Sequence, residues 1–313
     1  MATVAMVTTN KGNVIHTNHI EGLFFQWSNY LDTTPRTLQA YTKNTKLFLN
    51  WLKDKAIVQP VREDVKAYRD ELTKAHKPTT VNTYLMALKQ FFKWTEDVGL
   101  YPNITKGVKS LKLDTDHKKD YLTGRQAGRV LKTIDTTSLQ GLRDYAICAL
   151  MLTTGLRTVS VVNADIQDIR PVGDCVALFF KGKGHTQKAK YVKLSAEVED
   201  AIMQYLQARE ATNRAEPLFS SIANRNNGER MTTRSISRIA KTALVEAGFN
   251  SDRLTAHSFR HTAATLALKA GAKETEVQQM LDHRNINTTM IYSHAIERET
   301  NNTELKIANA IFN

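Results

Sequence analysis

Four side chains in the stretch from His257 to His294 carry chemistry suited to one bound anion: His257, Arg260, His283 and Tyr292. His257 and Arg260 stand three residues apart and so share a helix face. An apolar helical run over residues 262–270 follows, and Gly271-Ala272 breaks it. A short helix is expected from about Thr275 to Leu281, then a turn at Asp282-His283-Arg284-Asn285, then a last short helix from about Thr288 that carries Tyr292. Side chains delivered from successive helix starts and turns can converge. Two imidazoles, a guanidinium and a phenol would then meet an anion with charge-assisted hydrogen bonds. Singly, each has an ordinary reading: a His at a helix start caps it, an Arg is solvated, and a Tyr packs its ring and wets its hydroxyl.

In order and spacing the stretch resembles the tyrosine recombinase (phage integrase) family. That family's pattern is His-x-x-Arg, a Gly-His turn and, nine residues after that His, a nucleophilic Tyr; His283 and Tyr292 keep the separation. Asp282 stands where the family usually has Gly. Upstream, Thr154-Gly155-Leu156-Arg157 matches the motif of the family's first catalytic arginine, Arg157. Ser160 stands where the family usually has Glu or Asp, three residues after that arginine. Gly182-Lys183-Gly184 matches the motif of the catalytic lysine, with Lys181 as the less favoured stand-in for Lys183. The resemblance covers roughly residues 18–313, and its strongest motifs lie in residues 153–293.

The resemblance implies a reaction on a DNA phosphodiester. Tyr292 would attack phosphorus and form a covalent 3′-phosphotyrosyl link. Arg157 and Arg260, always charged and bidentate, would hold the extra negative charge of the pentacoordinate state. A free phenol has a pKa near 10, so an imidazole must help remove its proton, and His257 is the candidate general base. His283 would donate a hydrogen bond to the phosphate, and Lys183 would protonate the departing 5′-oxygen. No cofactor and no metal are expected. The phosphotyrosine stores the bond, so a 5′-hydroxyl from another duplex can reverse the step without ATP. By the same resemblance the partners would be double-stranded DNA with inverted-repeat core sites and, on that DNA, a homotetramer exchanging strands through a Holliday junction. Integration or excision of a phage or mobile element is the favoured role, and chromosome or plasmid dimer resolution the alternative. A type IB topoisomerase uses the same residue types, but the hydrophobic C-terminal tail and the close His283–Tyr292 spacing argue against it. A DNA-binding protein without activity would not need all six residues.

Composition agrees with a polyanionic partner: the 313-residue chain has a formal charge of +12 and a sequence pI of about 9.6. With 42% hydrophobic and 24% charged residues it is globular and long enough for two cores. Cys148 and Cys175 lie in apolar contexts and read as buried thiols of a reducing compartment. No membrane span or signal peptide is visible, and a cytoplasmic location is expected.

The elements that must position these residues are mainly helical, with a small β-sheet. Residues 1–17 read as a flexible tail, too short for a further DNA-binding domain. Residues 18–105 read as four helices: His19–Leu31, then Pro35 to about Lys55 behind the cap Thr34, then Arg62–Lys74, then one opened by Lys77-Pro78. The unit resembles the family's SAM-like core-DNA-binding domain, and Lys43, Lys46, Lys77 and Lys89 on its polar faces are candidate DNA contacts. Residues 106–120 read as a basic linker, and residues 121–313 as a mixed α/β catalytic domain ending in an exchange tail. In that domain Thr123 should cap a helix, residues 143–154 should form a buried helix, and short strands are expected at Ile166–Ile169, Val176–Phe180 and Ala189–Leu194. Ser195 should cap a helix to about Arg209. Thr232-Thr233 should open another that carries Arg234, Arg238 and Lys241 on one face, suited to a major groove. The tail's apolar set is Leu305, Ile307, Ala308, Ile311 and Phe312, which in the family docks on a neighbouring subunit.

Overall fold

Thr34 and Lys77 each precede a proline, and both prolines open helices, because the fixed φ of proline suits a first helical position whose N–H has no partner anyway. The computed structural model describes residues 6–7, 14–15, 20–113, 120–182 and 187–312. They fall into two units, residues 1–116 and 117–313. In the first, α1 (Ile20–Tyr30), α2 (Pro35–Asp54), α3 (Arg62–Ala75) and α4 (Pro78–Asp97) match the expected helices closely. Within the expected tail, strands β1 (Met6–Val7) and β2 (Val14–Ile15) pair antiparallel.

The core of this unit is aromatic. Trp27, Phe48, Phe91 and Phe92 are fully buried, and their rings meet edge-on, as Trp27 and Phe91 do at 5.0 Å. Val108 and Leu111, within the stretch expected to link the domains, pack into the same core. Asn82 holds them there: its amide nitrogen donates to the Leu111 carbonyl at 2.9 Å, and its amide oxygen accepts from the Leu111 N–H at 2.8 Å.

The second unit holds α5 (Gly124–Lys132), α6 (Leu139–Thr154), α7 (Thr158–Val162), strands β3 (Ile169–Val172), β4 (Cys175–Phe180) and β5 (Lys190–Lys193), then α8 (Ala196–Ala208), α9 (Thr233–Glu246), α10 (Ala256–Lys269), α11 (Glu274–Leu281), α12 (Asn287–Thr300) and α13 (Thr303–Phe312). The strands form one antiparallel sheet in the order β3-β4-β5. The expected strand at Ile166–Ile169 is mostly a 3-10 turn, Ile166–Asp168, and pairing begins at Ile169. The Asp168 carboxylate explains this: it accepts the Asp165 N–H at 2.7 Å and closes the turn locally. Thr123 caps α5 as expected, its hydroxyl accepting the Gln126 N–H while the Gln126 side chain accepts the Thr123 N–H. Residues 146–152 of helix α6 are apolar and buried on every side, and they run through the centre of the main core. A second, smaller cluster of Ala264, Val277, Leu281 and Tyr292 joins α10, α11 and α12. No described helix is long and apolar enough to cross a membrane.

Candidate active site

Helix α6 must stop sharply for Arg157 to leave the core. Gly155 does this by taking the left-handed conformation, φ 65°, at the C-terminus of the helix. Leu156 is buried, and Arg157 then starts α7 half-buried. Gly155 is also a close-packed spot: a Cβ there would lie 2.6 Å from Leu281 Cδ2 and 3.3 Å from Ala263 Cβ. Ser160 is buried in the first turn of α7.

Arg260, on the buried face of α10, is 3% exposed. Its guanidinium donates to the Gly155 carbonyl at 2.7 Å and to the Leu281 carbonyl. Those two bonds fix its plane against the ends of α6 and α11. Burial and the neighbouring Arg157 charge pull its pKa down to about 10, against the Tyr292 and Asp282 groups, so it stays charged at neutral pH. The two guanidinium charges oppose each other, and a bound anion would relieve that opposition.

His283 sits in the turn between α11 and α12. Helix α11 ends with Asp282 left-handed at φ 51°, and the His283 N–H reaches back to the Gln278 carbonyl at 3.1 Å. The Gln278 side-chain amide donates to the His283 carbonyl at 3.0 Å, closing the turn from both sides. The His283 Nδ1 lies 2.9 Å from the buried Thr289 hydroxyl. Burial first, then the charges of Arg260 and Arg157, push this imidazole down to about 4, so it is neutral at physiological pH. Tyr292 is 5% exposed on α12. Its ring lies parallel to His283 at 6.4 Å and edge-on to His261 at 5.2 Å. Burial raises the phenol's pKa, while Arg260 and Arg157 draw it back. His257 is exposed at the start of α10, and its ring meets His261 at 4.7 Å. Five of the expected residues thus share one electrostatic neighbourhood: Arg157, His257, Arg260, His283 and Tyr292.

A model of the phage integrase family matches residues 120–299, more than half of the chain, and a model of that family's N-terminal SAM-like domain matches residues 24–100. The chain belongs to the phage integrase family of tyrosine recombinases. Among its relatives is tyrosine recombinase XerD of Lacticaseibacillus casei, 29% identical over 287 residues, which cover 88% of this chain and 94% of the relative. A tyrosine recombinase of Synechocystis sp. is 32% identical over 230 residues, covering 73% and 72%. Among solved structures, XerH site-specific recombinase bound to palindromic difH substrate in a post-cleavage complex has the same fold. Its TM-score is 0.71 at 20% identity over 88% of this chain and 79% of that one.

In this recombinase Lys183 lies outside the described residues. Its flank is anchored: Lys188 pairs with Asp165 and Asp168, and Arg230 also holds Asp165. The candidate DNA contacts divide. Lys43, Lys46 and Lys77 in the first unit and Arg234 and Arg238 on α9 are exposed. Lys46 also lies over the Phe24 ring at 5.3 Å. Lys89 is half-buried and donates to Ser110. Lys241 is turned into its own domain, giving its ammonium hydrogens to the Ser251 carbonyl at 2.7 Å and the Leu254 carbonyl at 3.3 Å. His261 is not among the residues expected from the motifs. Its position four residues after His257 placed it on the same helix face, and that spacing was the available signal.

Proposed function

We propose that the protein cuts and rejoins DNA at specific sites through a 3′-phosphotyrosyl intermediate on Tyr292. The observation that carries this reading is the pair of neighbouring guanidiniums, Arg157 and Arg260, beside a buried phenol flanked by two imidazoles. The Tyr292 Oη attacks the scissile phosphorus as the bond to the 5′-oxygen breaks. The phenolic proton passes to imidazole, with His257 as the base and His261 in ring contact with both partners. With the Thr289 hydroxyl donating to Nδ1 of His283, the ring carries its proton on Nε2 and offers it to a non-bridging oxygen. Lys183 protonates the 5′-oxygen. Lys43, Lys46, Lys77, Lys89, Arg234 and Arg238 contribute contacts to phosphates, and Lys241 contributes charge only from within its fold.

Helix α13 supports assembly on paired inverted-repeat sites. Leu305, Ile307, Ile311 and Phe312 are 54–83% exposed, an apolar face suited to a neighbouring subunit in a DNA-bound homotetramer. Our reading of the role is integration or excision of a mobile element, acting in the cytoplasm, where that DNA lies. Dimer resolution is the second reading, favoured by the alignment over 94% of the XerD relative. Trapping covalent adducts in cells and sequencing the attached DNA distinguishes them: element ends support the first, a lone chromosomal locus the second. Tyr292→Phe should retain DNA binding and yield no adduct that survives denaturant. A persistent adduct in that variant refutes the assignment of the nucleophile.

A further inference from the structure

Asp282 is unusual on two counts. It is an acidic residue with φ 51° and ψ 50°, a backbone state that favours glycine, at the junction where α11 gives way to the His283 turn. Its side chain is 11% exposed, and one carboxylate oxygen lies 3.0 Å from the Lys190 ammonium on β5. The residue before it supplies the carbonyl that holds Arg260, and the residue after it is His283. On α7, the position three residues after Arg157, where the family usually has Glu or Asp, holds the neutral Ser160.

Resting on the cleavage reading above, we propose that Asp282 is a positioning residue: paired with Lys190, its carboxylate clamps the His283 turn to β5 and sets a negative charge beside the paired arginines. A strained left-handed residue persists where its surroundings hold it, and here the holding group is a cation on the sheet. The clamp joins two segments far apart in sequence, the strand that follows the Lys183 stretch and the turn that leads to Tyr292. The carboxylate also acts on the cluster in the required sense. It favours charged Arg260 and opposes the repulsion from Arg157. On His283 it partly offsets the effects of burial and of both arginines.

The test uses the full chain and a nicked duplex of the sequence recovered from trapped adducts. Single-turnover cleavage at saturating protein, half-site affinity and thermal unfolding are measured together. Asp282→Gly relieves the backbone, so its Tm should equal or exceed that of the parent. Its cleavage should nevertheless slow about threefold to tenfold, with half-site affinity unchanged. Asp282→Asn, which tolerates the left-handed state, should slow cleavage similarly, and Asp282→Glu should recover part of the loss. Lys190→Gln should match Asp282→Asn, and the double variant should be no slower than the slower single one. Parent-like cleavage by Asp282→Gly and Asp282→Asn overturns the proposal, as does slowing that follows a loss of Tm or multiplies in the double variant. If the parent itself forms no adduct, the cleavage reading fails first and the clamp falls with it. If the parent cleaves and the variants equal it, the clamp fails alone.

Discussion

Gly155→Ala perturbs the site through its scaffold. The substituted residue must keep φ 65°, which costs an alanine about 1–2 kcal/mol. Its Cβ would meet Leu281 Cδ2 at 2.6 Å and Ala263 Cβ at 3.3 Å. Leu281 is 1% exposed within the cluster around Tyr292, so it has no free volume to swing into. Overpacking of this kind costs about 1–3 kcal/mol, for a total of about 2–5 kcal/mol. For a unit the size of residues 117–313, that corresponds to a fall in Tm of at least about 4 °C. The same push moves both carbonyls that hold Arg260, those of Gly155 and Leu281. Loss of one preorganised donor costs about a hundredfold in rate in comparable sites, so single-turnover cleavage should fall by at least tenfold. Calorimetry gives the first quantity, and adduct formation on a nicked duplex gives the second. A Tm within about 2 °C of the parent with unchanged cleavage would show that the close packing of α6, α10 and α11 does not set the arginine, and would refute the reasoning.

Lys183→Ala should slow cleavage of ordinary DNA but cleave a 5′-bridging phosphorothiolate nearly as well as the parent does, because that leaving group needs no proton; equal loss on both substrates would assign Lys183 to binding and turn attention to Lys181. Removing residues 303–313 should leave half-site binding within about twofold by gel shift while abolishing tetramer assembly and strand exchange; full recombination by the truncated form, or relaxation of DNA by a lone monomer, contradicts this. His283 titrates near 4 in the fold and near 6.5 unfolded, so the unfolded chain takes up the proton first and acid destabilises the fold between those values. From pH 7 to pH 5 this histidine should cost about 1 kcal/mol, allowing for its half-exposed ring, and His283→Gln should flatten the denaturant-midpoint profile by that amount; parallel profiles would count against it.

Much of this was legible in the sequence because the governing signals are local. Pro35, Pro78, Thr123 and Gly155 punctuate helices by their own stereochemistry, and the helices begin or end where those residues stand. The grouping of Arg157 with Arg260 was legible through motif order, whereas the carbonyls that orient Arg260 are not: they depend on where the ends of α6 and α11 meet. Asp168 overrode the strand pattern at Ile166 with a side-chain bond that apolar spacing does not register. Val108 and Leu111 looked like linker because the segment has no period, and Asn82 and Lys89 on α4 dock it by hydrogen bonds that apolar spacing does not register. The helix that carries Tyr292 is expected to be short, yet α12 continues to Thr300 through a mostly polar run. Lys190 carried no chemical signal in the chain, since its partner is a turn residue some ninety positions away.

The small cluster around Tyr292 has a consequence for timing. Tyr292 is the largest side chain of that cluster, whose other buried apolar members are Ala264, Val277 and Leu281. Burying a tyrosine of 150–200 Å² is worth roughly 4–5 kcal/mol, less than the roughly 5–15 kcal/mol that holds a whole domain. The Tyr292 ring is therefore one of the latches of its own helix, beside Thr289. Each excursion that frees the phenol also unlatches α12, on the order of once in a thousand molecules or fewer, while the large core around α6 stays closed. On the cleavage reading proposed above, a covalent bond from Tyr292 to phosphorus would compete with that latch, and the chemical step would then coincide with loosening of the C-terminal segment.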